Sequence, residues 1–324
     1  MSYNRDNYSR VMREFSEKRL NAEKAADSRR KELSAKLPEY ARVDSALAEL
    51  GFRIYQETVK GGPDLDERIS KIKSQGEELR RQRDKIAEQN GYPKDYTKVR
   101  FECEKCGDTG FVGREKCECL KRALSEAGYI SSGLGKLLTH QNFSSFSLEL
   151  YPTDKLPGKD YSARDVMKIV FDKCKDYADS FTTDSGSLLF VGGTGLGKTH
   201  LSSAIAKTVI DRGFDVVYDS APNIINLLGR EQYYSTSPEA AEKYFGCDLL
   251  IVDDLGTEYP GKAAQSAVYN LINSRLVSGK PMIVSTNLTA QSLEKQYDGR
   301  IISRLFGEFR VLLFEGRDIR MKKI

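Results

Sequence analysis

The stretch Ser187–His200, SLLFVGGTGLGKTH, decides the fold of the second half of this chain. An apolar run leads directly into the spacing GxxxxGKT that begins at Gly192, which is typical of a nucleotide phosphate-binding loop. Glycines allow successive backbone N–H groups to curl around a phosphate, and the helix that follows directs its positive end toward the anion. The pattern predicts a strand, a phosphate loop and a helix. A glycine-rich turn without a ligand is the alternative.

The loop also predicts which residues touch the nucleotide. Lys198 would bring positive charge to the β- and γ-phosphates of ATP, and the hydroxyl of Thr199 would ligate Mg²⁺. The expected contacts are Gly192, Gly193, Thr194, Gly195, Leu196, Gly197, Lys198 and Thr199.

A second apolar run, Cys247–Asp254, ends in two acids. Such a run is typical of a buried parallel strand that carries carboxylates to the carboxyl edge of a sheet. We expect Asp253 to hold Mg²⁺ through its water shell and Asp254 to orient the attacking water, so the chain would be an ATPase. Because Asp is shorter than Glu, hydrolysis is expected to be slow. An acidic turn after a core strand is the alternative.

Two further segments carry polar residues toward the same chemistry. The strand Pro281–Thr286 ends at Asn287, which is placed to sense the γ-phosphate and the attacking water, although an Asn there also suits a simple turn. Downstream, Arg300 and Arg304 lie four residues apart on one helical face. They either reach the ATP of a neighbouring subunit or form surface salt bridges.

Strands and helices alternate through this half of the chain. The expected strands are 187–191, 214–218, 248–252, 281–286 and 311–314, and the expected helices begin at Lys198 and run across 221–245 and 263–278. Such alternation predicts an α/β fold, a three-layer sandwich around a parallel sheet.

Four of the 6 cysteines lie in one short segment and are spaced as two close pairs: Cys103, Cys106, Cys117 and Cys119. Such pairs suit a tetrahedral Zn²⁺ ion, with Gly107–Gly110 and Gly113 supplying the turns. A disulfide pair or an Fe–S cluster is the alternative. With no signal peptide recognised at its start, we expect a reducing, cytoplasmic location. Cys174 and Cys247 are interpreted as core thiols.

The first 95 residues are highly charged, with apolar residues at helical spacing. The register Val43, Leu47, Leu50, Ile54 and its heptad-like continuation from Leu65 to Ile86 predict two or three amphipathic helices. Gly61–Asp64 would break them, with Asp64 as a cap. The stripe is narrow, so we expect a partner outside the chain; a solvated hairpin without a partner is the alternative.

Length and charge agree with a two-domain intracellular machine. The 324 residues are 39% hydrophobic, without an apolar run long enough for a membrane span. The 51 Lys and Arg nearly balance 47 Asp and Glu, so a net charge of +4 permits nucleic-acid contact without requiring it. We divide the chain into a helical region (1–95), a four-cysteine zinc module (96–135), a connecting segment (136–160) and an ATPase domain (161–324).

The order of these parts resembles the bacterial replicative-helicase loaders of the DnaC/DnaI type, a branch of the AAA+ ATPases. The resemblance rests on the phosphate loop, the Asp-Asp pair followed by LGTE, the STN at a strand end, RIISRLFG, the closing GRDIR, and Asn142-Phe143-x-x-Phe146-x-Leu148. It covers most of the chain. It implies an AAA+ sandwich preceded by a coiled-coil-like helical hairpin and a zinc module.

The resemblance also implies roles. Asn287 would be the sensor 1 residue, Arg300 and Arg304 finger candidates, and Arg320 the sensor 2 candidate, with Arg317 the other arginine near the chain end. The front would bind the replicative hexameric helicase, the ATPase domains would self-associate, and the helices 221–245 would contact single-stranded DNA. The candidate DNA contacts are Arg230, Tyr233, Tyr234 and Lys243. A transposition-helper ATPase of the IstB type and a nucleotide-latched interaction module remain the alternatives.

Overall fold

Alternating strands and helices build the second half of the chain, as seen in a computed structural model that describes residues 4–135, 137–234 and 238–322. The strands are β1 (Phe111–Val112), β2 (Glu115–Lys116), β3 (Ser187–Val191), β4 (Val216–Ser220), β5 (Leu249–Leu255), β6 (Met282–Thr286) and β7 (Phe309–Leu313). The helices are α1 (Arg5–Lys36), α2 (Pro38–Lys60), α3 (Leu65–Gln89), α4 (Glu118–Ser131), α5 (Leu137–His140), α6 (Ala163–Ser180), α7 (Lys198–Asp211), α8 (Ala221–Tyr234), α9 (Pro238–Gly246), α10 (Lys262–Val277), α11 (Ala290–Gln296) and α12 (Gly299–Gly307).

Five parallel strands form one sheet in the order β4-β5-β6-β3-β7. Successive side chains of a strand point to opposite faces, so β3 sends Leu188 and Phe190 into one buried cluster and Leu189 and Val191 into another. Helices α6 and α7 cover the first face, and α8, α10 and α12 cover the second. The predicted three-layer α/β sandwich around a parallel sheet is confirmed.

Three strands, β4, β5 and β7, differ by more than one residue from their predicted bounds. β5 is Leu249–Leu255 rather than 248–252, and β7 is Phe309–Leu313 rather than 311–314. Residues 214–218 were expected to be extended, whereas β4 is Val216–Ser220. Phe214 belongs to the turn that ends α7, because its N–H donates to the carbonyl of Val209 (3.2 Å) and its ring packs edge-on against Phe181. The strand begins once the chain has left that turn.

Helices α2 and α3 form a hairpin in which the residues of the predicted apolar stripe are buried or half-buried. Leu50 and Ile72 are buried, and a Cβ on Gly76 would lie 3.9 Å from Leu50 Cδ1. Arg83 donates to Asp44 across the two helices (3.3 Å). The expectation that this stripe lacks a partner within the chain is wrong, because each helix is the partner of the other.

A different face of α2 is exposed. Phe52, Tyr55 and Val59 follow one another at helical spacing, and 62%, 66% and 69% of their surfaces are accessible. Asp64 is the N-cap residue of α3, as predicted, although its side chain makes no capping hydrogen bond.

The chain separates into two compact units. One contains Met12–Cys119, and the other contains the described residues up to Val11 together with those from Leu120 onward. Residues 120–131 belong to the second unit because Leu120 and Leu124 are buried and a Cβ on Gly128 would clash with Ile210 (2.7 Å). The functional assignment of the four predicted segments stays a prediction.

Candidate functional site

The phosphate loop joins β3 to α7, as the sequence predicts. Lys198 is buried, and its Nζ donates to the carbonyls of Gly192 and Gly193 and to Oδ1 of Asn287, each at 2.7 Å. Burial lowers the pKa of Lys198 because the charged ammonium is desolvated, and nearby Asp254 and Asp253 act in the opposite direction. The loop thus holds a cation whose partners are two carbonyls and one amide oxygen.

Gly197 is required where the loop enters α7. Its φ is +88°, and a Cβ there would lie 2.8 Å from the hydroxyl of Tyr151 and 3.0 Å from Phe146. The Tyr151 hydroxyl donates to the carbonyl of Leu196 (2.8 Å), and Phe146 stacks on Tyr151. The connecting segment therefore fixes the loop from outside, which gives a physical role to the aromatic residues that the sequence pattern singles out.

The same segment contacts the first turn of α7. Asn142 caps the short turn Phe143–Ser145 by accepting from the N–H of Ser145 (3.0 Å). Its carbonyl lies 3.0 Å from Nε2 of His200, and the His200 ring meets Phe146 edge-on. Residues 142–146 are thus attached to the helix that begins at the phosphate loop.

The two predicted acids lie at the carboxyl end of β5. Oδ2 of Asp253 accepts from the hydroxyl of Thr199 (3.0 Å) and from that of Tyr218, while Oδ1 accepts from Ser285. The two residues predicted to hold Mg²⁺ are therefore in contact, and both oxygens of the buried carboxylate are satisfied.

Asp254 stands beside Asn287 at the adjacent strand end. Asn287 Nδ2 donates to Asp254 Oδ1 (3.0 Å), so one amide side chain bridges Asp254 and Lys198. Burial raises the pKa of Asp254, and the negative charge of Asp253 adds to that effect. Asp254 also has φ +57°, where β5 is irregular between Val252 and Leu255.

The chain end closes over the phosphate loop. Ile319 N–H donates to the carbonyl of Gly195 (3.1 Å), and a Cβ on Gly195 would lie 2.0 Å from Asp318 Oδ1. Arg320, the sensor 2 candidate, lines the cavity beside the phosphate loop that is described next, whereas Arg317 is exposed and does not line it. Of the two arginines considered, the structure brings only Arg320 to the loop.

These residues enclose a cavity of about 660 Å³, a volume suited to a nucleotide. Its walls are Gln141, Thr194, Gly195, Leu196, Gly197, Lys198, Thr199, His200, Asp253, Asp254, Asn287, Ile319 and Arg320. The carboxamide oxygen of Gln141 is buried there, and no described residue donates to it. Loop, cation, carboxylates and an unsatisfied acceptor together fit a nucleoside triphosphate with Mg²⁺.

Arg300 and Arg304 do not line this cavity. Arg300 is exposed and pairs with Asp298 (2.9 Å). Arg304 donates to Oδ1 of Asn273 (2.7 Å), and both guanidinium groups lie over the ring of Tyr269. Because neither side chain lines the cavity, the structure is compatible with both interpretations of these arginines.

Three residues near the site were missed by sequence reasoning: Tyr218, Glu258 and Tyr297. The hydroxyl of Tyr297 donates to the buried carboxyl group of Glu258, which also accepts from the N–H of Gly256 (2.9 Å). This contact connects the loop after Asp254 to the start of α12. The LGTE sequence marks Glu258, but its partner lies 39 residues away and carries no sequence signal.

The four clustered cysteines also come together. All four sulfur atoms lie within 4.8 Å of one another, with Cys103 to Cys117 at 3.8 Å and Cys106 to Cys119 at 3.5 Å. Buried Asp108 organises the first knuckle by accepting from the N–H groups of Glu102 (2.9 Å) and Cys103 (2.8 Å). The predicted turns are present, with positive φ at Gly107, Asp108, Gly110 and Gly113. This donor set could hold a metal ion.

The remaining expectations are placed as follows. Cys174 and Cys247 are buried, as predicted for core thiols, and burial raises the pKa of Cys247 to about 11. Lys243 lies over the ring of Tyr244 on α9. The side chains of Arg230, Tyr233 and Tyr234 fall outside the described residues. In the described ranges, every helix is too short or too polar to cross a membrane.

Comparison with known proteins gives named relatives. The replicative helicase loader DnaC of Escherichia coli (strain K12) is 24% identical over 137 residues, which is 41% of this chain and 55% of that protein. The DnaC of Buchnera aphidicola subsp. Schizaphis graminum is 23% identical over 188 residues, or 57% of this chain and 71% of that protein. This chain thus spans about half the length of the Escherichia coli relative.

A solved structure titled "Crystal structure of the DnaC helicase loader" is 19% identical, with a TM-score of 0.46, and covers 56% of this chain and 99% of that one. The family model for "IstB-like ATP binding protein" matches residues 159–322, just over half of the chain. That match contains β3, the phosphate loop, both acids, Asn287 and Arg320. This protein therefore belongs to the family of IstB-like ATP binding proteins.

Proposed function

We propose that this protein is an ATP-dependent loader that binds the replicative hexameric DNA helicase and delivers it to single-stranded DNA. The observation that carries the proposal is the combination of a complete nucleotide site with an exposed apolar face on α2. The relatives named as helicase loaders support the same function.

The nucleotide site assigns a task to each residue. Lys198 exchanges its bonds to Gly192 and Gly193 for the phosphates, because their charge offsets its cost of burial. Thr199 and Asp253 would hold Mg²⁺, which when bound would offset the negative charge of the phosphates. Asp254, held by Asn287, orients the attacking water. Arg320 senses the bound nucleotide from the chain end. Hydrolysis is slow and is stimulated by assembly or by DNA.

The arginines of α12 act between subunits. Arg300 and Arg304 lie outside their own cavity, on a helix whose start is fixed by Asp298, which accepts from the N–H of Arg300 (2.7 Å). Self-association of the ATPase domains would bring one of them to the nucleotide of the neighbour. The bidentate guanidinium group is well suited to phosphate.

The cysteine cluster binds one structural Zn²⁺ ion. With Zn–S bonds of about 2.3 Å, a tetrahedral site has sulfur atoms about 3.8 Å apart. The distances Cys103 Sγ to Cys117 Sγ (3.8 Å) and Cys106 Sγ to Cys119 Sγ (3.5 Å) fit this geometry. Four thiolates close the coordination shell, so the ion stabilises the fold of the module and offers no position to a substrate.

The exposed face of α2 binds the helicase. Phe52 and Tyr55 present aromatic side chains, which are enriched at the centres of protein interfaces, and Val59 extends the same exposed apolar face. Single-stranded DNA binds along α8 and α9, where Lys243 supplies charge. Any such DNA binding is expected to be salt-sensitive and poorly sequence-selective.

A pull-down with the replicative helicase tests this function in the full chain, with and without ATP. Changing Phe52 and Tyr55 together to Asp should abolish capture, whereas Leu20→Asp, on an exposed apolar residue of α1, should leave capture intact. Lys198→Ala should keep capture and lose loading, because nucleotide binding is lost. Equal capture by the α2 variant and the wild type would contradict the proposed surface.

The family match itself favours a second candidate. The family is described as IstB-like, and a transposition-helper ATPase uses the same core. If the pull-down shows binding to a transposase and no binding to the helicase, the function is that of a transposition helper rather than a helicase loader.

A further inference from the structure

Tyr218 lies on the edge strand of the sheet, beside the strand that carries Asp253. In the parallel register of β4 and β5, Tyr218 is opposite Ile251 and Ser220 is opposite Asp253. Side chains lean along their strand, and the long phenol spans the two-residue offset. Its hydroxyl donates to Oδ2 of Asp253.

Three hydroxyl groups satisfy the Asp253 carboxylate, and they differ in what they do when nucleotide binds. Ser285 occupies Oδ1, while Thr199 and Tyr218 share Oδ2. Thr199 belongs to the phosphate loop, where its hydroxyl is a Mg²⁺ ligand. Once that hydroxyl turns to the ion, Tyr218 is the donor that remains on Oδ2 among the described residues.

The position of Tyr218 is fixed independently of the nucleotide. Its N–H, on the free edge of the sheet, donates to the carbonyl of Ser132 (2.7 Å). Gly133 packs so tightly that a Cβ would lie 2.6 Å from the Tyr218 carbonyl oxygen.

We propose that Tyr218 is a positioning residue that holds the Asp253 carboxylate in the orientation required by the Mg²⁺ of bound nucleotide. This inference rests on the proposed ATP site. Groups that orient a metal-binding carboxylate without touching the metal typically change metal affinity by about 10- to 100-fold. The hydroxyl of Tyr218 thus raises nucleotide affinity indirectly, by way of the Mg²⁺ ion, and does not contact ATP.

Tyr218→Phe in the full chain isolates the hydroxyl, since the ring that packs on the sheet is kept. Binding of a fluorescent ATP analogue is measured at increasing Mg²⁺ and, separately, in EDTA. We expect the Mg²⁺ concentration for half-maximal enhancement of affinity to rise about 10- to 100-fold. The affinity in EDTA should equal that of the wild type, which also shows that the variant is folded.

Tyr244→Phe is the matched control, because this buried phenol donates to Asp219 (2.7 Å), which does not line the cavity. Its Mg²⁺ dependence should be that of the wild type. The same Mg²⁺ dependence for Tyr218→Phe and the wild type, or an equal loss with and without Mg²⁺, would overturn the inference. A wild-type protein that binds no ATP would instead overturn the proposed function.

Discussion

Replacing Tyr297 with Phe removes one hydroxyl from a buried contact and leaves the packing unchanged. Oε1 of Glu258 then loses its donor, while Oε2 keeps the N–H of Gly256. Leaving a buried acceptor unsatisfied costs about 1–3 kcal/mol. For a unit of this size each kcal/mol lowers Tm by about 2–4 °C, so a loss near 2 kcal/mol lowers Tm by about 4–8 °C.

Calorimetry of the full chain measures this change in the transition that shifts when ATP and Mg²⁺ are added. Affinity for ATP should stay the same, because neither Tyr297 nor Glu258 lines the cavity. Hydrolysis stimulated by assembly should fall, since Tyr297 precedes the Asp298 cap of α12. Tyr259→Phe is the control, because Tyr259 is 92% exposed one residue from Glu258. A Tm within about 1 °C of the wild type for Tyr297→Phe would refute the reasoning.

Three further changes test other parts of the molecule. Asp254→Asn should retain ATP binding and lose turnover by roughly 10²- to 10⁴-fold in a phosphate-release assay. Because the pKa of Asp254 is raised in the folded state, ionisation of this carboxyl group lowers the stability of the fold at neutral pH. The Asn variant should therefore have a higher Tm than the wild type at pH 7. This difference in Tm should vanish as the pH falls from the raised pKa through the ordinary Asp range. Chelation of the metal, or the substitution Cys106→Ser, should remove zinc and unfold the cysteine module while ATP binding persists. Metal analysis measures the zinc content. A wild-type protein that contains no zinc would contradict the proposed zinc site. Finally, Arg300→Ala or Arg304→Ala should abolish assembly-stimulated turnover, worth about 10³- to 10⁵-fold, and mixing the true finger variant with Lys198→Ala should restore part of it. Poor ATP binding by the arginine variant, with no recovery on mixing, would place that arginine at its own site.

Much of the nucleotide site could be predicted because its spacing is local. The loop from Gly192 to Thr199 specifies its own turn, and apolar runs that end at Asp253 and Asn287 identify neighbouring strand ends. Parallel strands bring their carboxyl ends to one edge, so the proximity of these residues follows from the fold class alone. The cysteine pairs are similar, since two short knuckles set the four sulfur atoms close together.

Contacts that depend on register and distant packing could not be predicted. Tyr218 reaches Asp253 across 35 residues, and only the pairing of β4 with β5 shows that its phenol spans the offset. The apolar stripe of α2 and α3 predicts burial, but its period is the same whether the partner is another chain or the next helix. Phe214 was predicted in a strand because aromatic residues have a high strand propensity, and this propensity contains no information about the turn after α7 in which Phe214 lies.

The left-handed backbone at Asp254 determines which side chains the site can evolve. At φ +57°, Asp and Asn are tolerated far better than longer residues such as Glu, whose side chain would otherwise extend the reach of the carboxylate. The irregular backbone at this point of β5 thus favours a short acid over Glu. Asn is equally compatible with this backbone, and its codons differ from those of Asp by a single base. If Asp254 acts as proposed, a form of this protein that binds ATP and does not turn it over is one point mutation away, with no distortion of the fold to select against it.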